Sequence, residues 1–198
     1  MNLTVLYDYL ILAMLVLAPA VFIVLFYISA PYGRFTRVGW GPTLNNRVGW
    51  FVMEAPASLV VAFIMLFEME LTTVTWVFLL MWQLHYFHRA FIYPFFLKGS
   101  RSMPVVIILM AILFNSINAY LIGYHFVLNS YEIDWLTSPF FIVGSILYVV
   151  GFFVTKRSDA LLRSLRSSGE AGYKVPHGFL YRYVSCPNYL GEIIQWAG

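Results

Sequence analysis

Five apolar segments, at about residues 4–29, 50–67, 72–97, 103–128 and 137–155, leave this chain few ways to fold. Each is close to the ~20 residues a helix needs to cross about 30 Å of hydrocarbon. A sixth apolar run begins near Tyr189 and continues to Gly198. The chain is 61% hydrophobic and only 11% charged, whereas soluble domains are about half apolar and about a quarter charged. A small soluble core cannot absorb that excess, and a bilayer can. Strands are not expected, because an open sheet edge in lipid leaves backbone groups unsatisfied. The expected fold class is therefore an all-α membrane protein, a polytopic transmembrane helical bundle built as one domain over 1–198.

The first segment has no basic start, and its apolar run continues past the small residues at 18–20. A cleaved signal peptide has a positive n-region and a shorter apolar stretch, so a retained first helix is expected. The single cysteine, Cys186, excludes an internal disulfide framework.

The connections alternate in charge. Arg34, Arg37 and Arg47 lie between the first two segments, and Lys98 and Arg101 follow the third, with Arg89 just before them. Lys156, Arg157, Arg163, Arg166, Lys174 and Arg182 follow the fifth. The turns around Glu68–Glu70 and Glu132–Asp134 carry acids and no Lys or Arg. The positive-inside rule assigns the basic side to the cytosol and the N-terminus to the outside or lumen.

Residues 156–183 are polar, with Leu161, Leu162 and Leu165 at helical spacing and Arg163 and Arg166 on the other side. Ser158 and Asp159 suit a helix start and Gly169 its end. Two readings are open here. One is an interfacial helix held by anionic lipid; the other is a basic floor on the cytosolic side for a phosphorylated ligand.

Ionisable residues at membrane depth are costly, and each marks a functional position until shown otherwise. Glu54 lies in WFVMEAPASLVV, and His85, Tyr86, His88 and Arg89 lie in LHYFHRAFIYP. On a helix Tyr86 and Arg89 are three apart and can look into one cavity. Arg89 is near enough to the cytosolic end to snorkel to the headgroups, whereas the stem of Glu54 is too short for that. His85 and His88 form an HxxH pair, but the chain has four histidines in all, too few for a di-iron site, and no metal is expected. Neither a Gly-x-Gly-x-x-Gly nor a P-loop appears, so any nucleotide is held in another way. A carboxylate and a phenol, Glu54 and Tyr86, remain on neighbouring apolar helices. Such a pair can donate to a ligand carbonyl and stabilise an oxyanion as charge develops.

APYGR…GWGP…WFVMEAP, LHYFHRAFIYPFF and GYKVPHGFLYRYVSCPNYLGEIIQWAG, in that order from about residue 31 to 198, resemble the steroid 5α-reductase family (3-oxo-5α-steroid 4-dehydrogenases). The closing PNYLGE element is shared with sterol reductases and isoprenylcysteine methyltransferases. The resemblance implies NADPH-dependent reduction of a 3-oxo-Δ4-steroid, with hydride to C5 and a proton to C4. It implies that Tyr86 and Glu54 hold the C3 carbonyl oxygen and that His85, His88 and Arg89 shape the substrate pocket. Cofactor contacts carry over to Arg101, Asn118, Asp159, Arg163, Arg166, Tyr173, Lys174, Asn188 and Glu192, making 156–187 a cytosolic cofactor-binding segment. Thr155 stands where the family often has an asparagine, Met110 where some members have an arginine, and Lys174 where an arginine is common. Lysine keeps the charge there but loses bidentate phosphate geometry.

The resemblance also implies seven helices in the full family fold, of which this chain would hold five and the start of a sixth. On its own it is expected to bind NADPH poorly. The expected partners are the bilayer and a hydrophobic steroid or other lipid-like enone, with no nucleic acid, metal or obligate protein partner. The expected membrane is the endoplasmic reticulum in a eukaryote or the inner membrane in a bacterium. Three other readings stand beside this one: an enoyl-CoA or polyprenol-type reductase on a similar scaffold, an S-adenosylmethionine-dependent isoprenylcysteine-type methyltransferase, and a non-catalytic membrane scaffold. The methyltransferase has no need of the Glu54–Tyr86 pair, and the scaffold leaves Glu54 unexplained.

Overall fold

The computed structural model describes residues 3–32, 35, 37–97, 102–165 and 174–198. The chain forms two compact units: Met1–Phe95 with Ser100–Ser130, and Phe96–Gly99 with Tyr131–Gly198.

The first unit contains α1 (Leu3–Tyr27), α2 (Asn46–Phe67), α3 (Thr73–Phe87), a π-helical turn (His88–Ile92) and α5 (Val105–Leu128); α4 (Tyr93–Phe96) runs on from the π turn. No side chain of α1 is buried within the protein, as suits a helix that faces lipid. The start of α2 is set by Asn45, whose side chain accepts from the Arg47 N–H at 2.9 Å. A capping box between Thr72 and Thr75 starts α3.

α2 is the central helix. Antiparallel to it, α3 contributes Trp82, whose Nε1 donates to the Ala57 carbonyl at 2.7 Å. Gln83 donates to the Ser58 carbonyl at 2.9 Å and accepts from the Ser58 hydroxyl at 2.5 Å. On its other side α2 runs parallel to α5, and a glycine marks each end of their contact. A Cβ on Gly49 would come 2.9 Å from Ile108 Cδ1, and one on Gly123 would come 3.0 Å from the Ile64 side chain. Small residues of this kind let membrane helices approach closely without a hydrophobic drive between them. The core is Ala57, Val61, Met65, Leu79, Trp82, Tyr86 and Ala119, with a second cluster of Met53, Met103 and Ile108.

The strands that were not expected are present as a short ribbon. β1 (Thr43–Asn45) pairs antiparallel with β2 (Ser102–Pro104). They immediately precede α2 and α5, and β2 takes the first two residues, Met103 and Pro104, of the apolar run at 103–128.

In the second unit α6 (Pro139–Ser164) packs along α7 (Pro187–Ala197). Ser138 caps α6 by accepting from the Phe141 N–H at 3.1 Å, and Pro139 occupies its first turn. The two helices meet backbone to backbone. A Cβ on Gly151 would collide with the backbone of Gln195 and Gly191, and one on Gly191 would lie 2.5 Å from Thr155 Oγ1 and 2.6 Å from the Thr155 nitrogen.

Four of the described helices, α1, α2, α5 and α6, are long and apolar enough to cross a membrane, and the chain is an integral membrane protein. The expected third span is helical from Thr73 to Phe96 but is divided by the π turn. Pro94 explains the division: it has no N–H for the Ala90 carbonyl, and its ring crowds that carbonyl. The ladder widens instead, and the Tyr93 N–H reaches back to the His88 carbonyl.

The helix expected to begin at Ser158 is not separate. α6 continues through Ser158 and Asp159 to Ser164, because no Gly or Pro interrupts residues 152–164. Gly169, the expected end, lies outside the described residues.

Candidate active site

The polar centre of the first unit is built on Glu54, in the middle of α2 and 6% exposed. The π turn presents Arg89, whose Nε donates to Glu54 Oε1 at 2.9 Å. The guanidinium also lies over the Trp50 ring, 5.3 Å from its centroid. Trp50 is one turn before Glu54 on α2, and its ring meets Tyr93 at 5.2 Å. Arg89 is thus tied inward by a carboxylate and an aromatic face, not extended to the headgroups as a snorkelling side chain would be.

From α5, Asn115 reaches the same carboxylate. Its Nδ2 donates to the Met53 carbonyl at 2.6 Å and to Glu54 Oε2 at 3.4 Å. Both oxygens of Glu54 are therefore engaged, one by a cation and one by a neutral amide. An ionised carboxylate is acceptor-only, and these are the donors that make its burial tolerable.

Tyr86 is buried in the core cluster with Ala57, one turn along α2 from Glu54. Its ring lies 4.6 Å from that of Trp82 and 4.9 Å, nearly edge-on, from that of His85. Trp82 is itself anchored on the Ala57 carbonyl, so the Tyr86 ring lies between a tilted indole held in place and the edge-on imidazole of His85. His85 is 2% exposed, and His88 and Arg89 are half-buried. Among the described residues no three His, Cys, Asp or Glu side chains gather in a way that would hold a metal.

Glu54, Tyr86, His85, His88 and Arg89 all belong to the first unit, together with Asn118, half-buried one turn after Asn115 on α5. Asp159, Arg163, Lys174, Asn188 and Glu192 belong to the second. There Thr155 is 2% exposed, and its hydroxyl donates to the Asn188 carbonyl at 3.2 Å. The Tyr181 hydroxyl donates to the Ser158 carbonyl at 3.2 Å. Arg163 lies over the Phe96 ring at 5.4 Å. Arg101, Arg166 and Tyr173 fall outside the described residues.

Sequence reasoning missed Asn115, Trp50 and the Ser58–Gln83 pair. A signal for Asn115 exists in the run ILFNSINAY, where an amide inside an apolar span needs a buried partner.

A family model described as 3-oxo-5-alpha-steroid 4-dehydrogenase matches residues 101–198. A steroid 5-alpha-reductase DET2 from Gossypium hirsutum is 35% identical over 98% of this chain and 78% of its own length. The 3-oxo-5-alpha-steroid 4-dehydrogenase 1 of Bos taurus is 34% identical over 89% of this chain and 71% of its own, and that of Homo sapiens is 35% identical over 86% and 67%. On this similarity, which extends through the helices that carry Glu54, Tyr86 and Arg89, the chain belongs to the steroid 5-alpha-reductase (3-oxo-5-alpha-steroid 4-dehydrogenase) family.

Proposed function

We propose that the protein reduces the C4–C5 double bond of 3-oxo-Δ4-steroids, with NADPH as reductant. The observation that carries this reading is the buried Glu54–Arg89 pair one turn along α2 from the buried phenol of Tyr86, all within apolar helices. A hydrophobic ketone can enter such surroundings with little desolvation, and its one polar atom needs a donor there.

The residues of the second unit suit a phosphate-bearing cofactor. Ser158 Oγ is buried without a hydrogen-bond partner among the described residues, in the turn that also carries Thr155 and Asp159. Arg163 and Lys174 bring positive charge close by in sequence, as phosphates require. Within this unit Asp159, Arg163, Lys174, Asn188 and Glu192 are the residues that would hold the cofactor. When bound, the cofactor supplies a hydride for C5.

The chain's own part is at the other end of the enone. The Tyr86 phenol donates to the C3 oxygen, and this bond strengthens as negative charge moves from the double bond onto that oxygen. Glu54, one turn away on α2, is acceptor-only while it is paired with Arg89, so its part at the C3 oxygen is to hold Arg89 and the polar end of the site in place. A proton then reaches C4, giving the saturated ketone. His85, His88 and Arg89 line the pocket, and the apolar helices exclude water from it. The basic connections face the cytosol, so the cofactor is drawn from that side.

The test is direct. The protein in detergent, given NADPH and testosterone, should lose the enone absorbance and yield a product heavier by two hydrogens with 5α stereochemistry. Cofactor binding without steroid reduction would point instead to an enoyl-CoA or polyprenol-type substrate. Binding of S-adenosylmethionine in place of NADPH would overturn the reductase reading.

A further inference from the structure

We propose that Asn115 is a positioning residue for Glu54, fixing the plane of the carboxylate at the site where, on the reading above, the substrate ketone is held.

Asn115 is 6% exposed, in the middle of an apolar helix. An amide there is unfavourable unless its hydrogens are used. Both are used on one short stretch of α2: Nδ2 donates to the carbonyl of Met53 at 2.6 Å and to Oε2 of Glu54, the next residue, at 3.4 Å. The shorter bond is to backbone, which does not rotate. It therefore anchors the amide and aims its second hydrogen at the carboxylate.

Arg89 alone does not fix that carboxylate. Its Nε contact is to Oε1, and one bond leaves the group free to turn about the Oε1 direction. The Asn115 contact supplies the second point, from a different helix. It is long, but its acceptor is charged, which makes even a modest hydrogen bond worth keeping.

The neutrality of the amide matters as well. Glu54 and Arg89 cancel in charge, and a second cation on α5 would leave a net positive charge in apolar surroundings. An amide adds a donor without adding charge.

A simple strut between α5 and α2 would need only the Met53 bond, so the test must report on Glu54 itself. The variants are Asn115→Leu, Glu54→Gln and the double variant, made in the full chain in detergent. Should Asn115→Leu fail to fold, Asn115→Ser replaces it. A serine hydroxyl can satisfy itself on its own helix but is too short to reach Glu54.

The first readout is the infrared carboxylate stretch of Glu54, assigned by its loss in Glu54→Gln. The Asn115 variant should move that band, and an unmoved band overturns the proposal. The second is testosterone reduction with NADPH. The Asn115 variant should lose about tenfold or more in kcat/KM while cofactor affinity stays within about twofold. In the Glu54→Gln background the same change should have almost no further effect. A full, multiplicative loss in that background would show a structural strut and overturn the proposal. If the unmodified protein reduces no steroid, the functional reading fails by itself, and the infrared band still decides the role of Asn115.

Discussion

Arg89 and Glu54, 35 residues apart in sequence, form an ion pair 2.9 Å long between a π-helical turn and the middle of α2. Their side chains are 23% and 8% exposed, so neither charge is well hydrated once the other is removed. The pair fastens the third helical stretch to the second at the depth where the family resemblance puts substrate.

Arg89→Met should destabilise the first unit by about 3–5 kcal/mol, the usual penalty for stranding one member of a buried pair. Thermal unfolding in detergent measures it. Combining Arg89→Met with Glu54→Gln should recover part of the loss, because no uncompensated charge remains. Additive losses would show that the two charges do not depend on each other.

Tyr86→Phe should keep the fold and cofactor affinity and lose turnover by about a hundredfold or more, the scale for removing one donor from a developing oxyanion. The ring contacts with Trp82 and His85 are retained in this variant. Steady-state steroid reduction and NADPH titration, done side by side, separate the two effects.

Glu54→Gln should weaken steroid binding more than cofactor binding, and the check is to measure KM for the steroid against Kd for NADPH. A variant equal to the unmodified protein in both would remove Glu54 from the site.

Gly191→Leu should break the packing of α6 on α7. Even a Cβ at Gly191 would lie 2.5 Å from Thr155 Oγ1, and overpacking of this kind costs about 1–3 kcal/mol or more. Amide exchange should accelerate in 139–164 and 187–197 while α2 and α5 keep their protection.

Helices were legible where the bilayer dictates them. The segment read at 103–128 is α5 at Val105–Leu128, and that read at 4–29 is α1 at Leu3–Tyr27. An apolar run long enough to span is its own boundary signal. Boundaries failed where local chemistry took over. α2 begins at Asn46, four residues earlier than read, because Asn45 caps it, and α6 continues past 155 through a polar stretch with nothing to stop it. The titratable residues of the site were visible because charge in an apolar run stands out. Their partners were not. Asn115 and Asn118 lie on the same helix one turn apart, and only the packing of α5 on α2 shows which amide meets Glu54. The π turn was hidden for a similar reason: Pro94 announces a disturbance but not whether the helix will kink, stop or widen.

That wide turn also acts as a change of gear. A π turn holds one residue more than an α turn, which rotates everything beyond it by about 100° relative to an uninterrupted helix. Before the turn, Trp82 and Gln83 address the backbone of Ala57 and Ser58; after it begins, Arg89 and Tyr93 address Glu54 and Trp50. One continuous helix thus meets α2 in two registers, first with a packing face and then with a chemical one. Deleting Ala90, the buried residue within the turn, would leave Trp82, Gln83 and Arg89, which precede it, in place and swing Tyr93 away from the Trp50 ring.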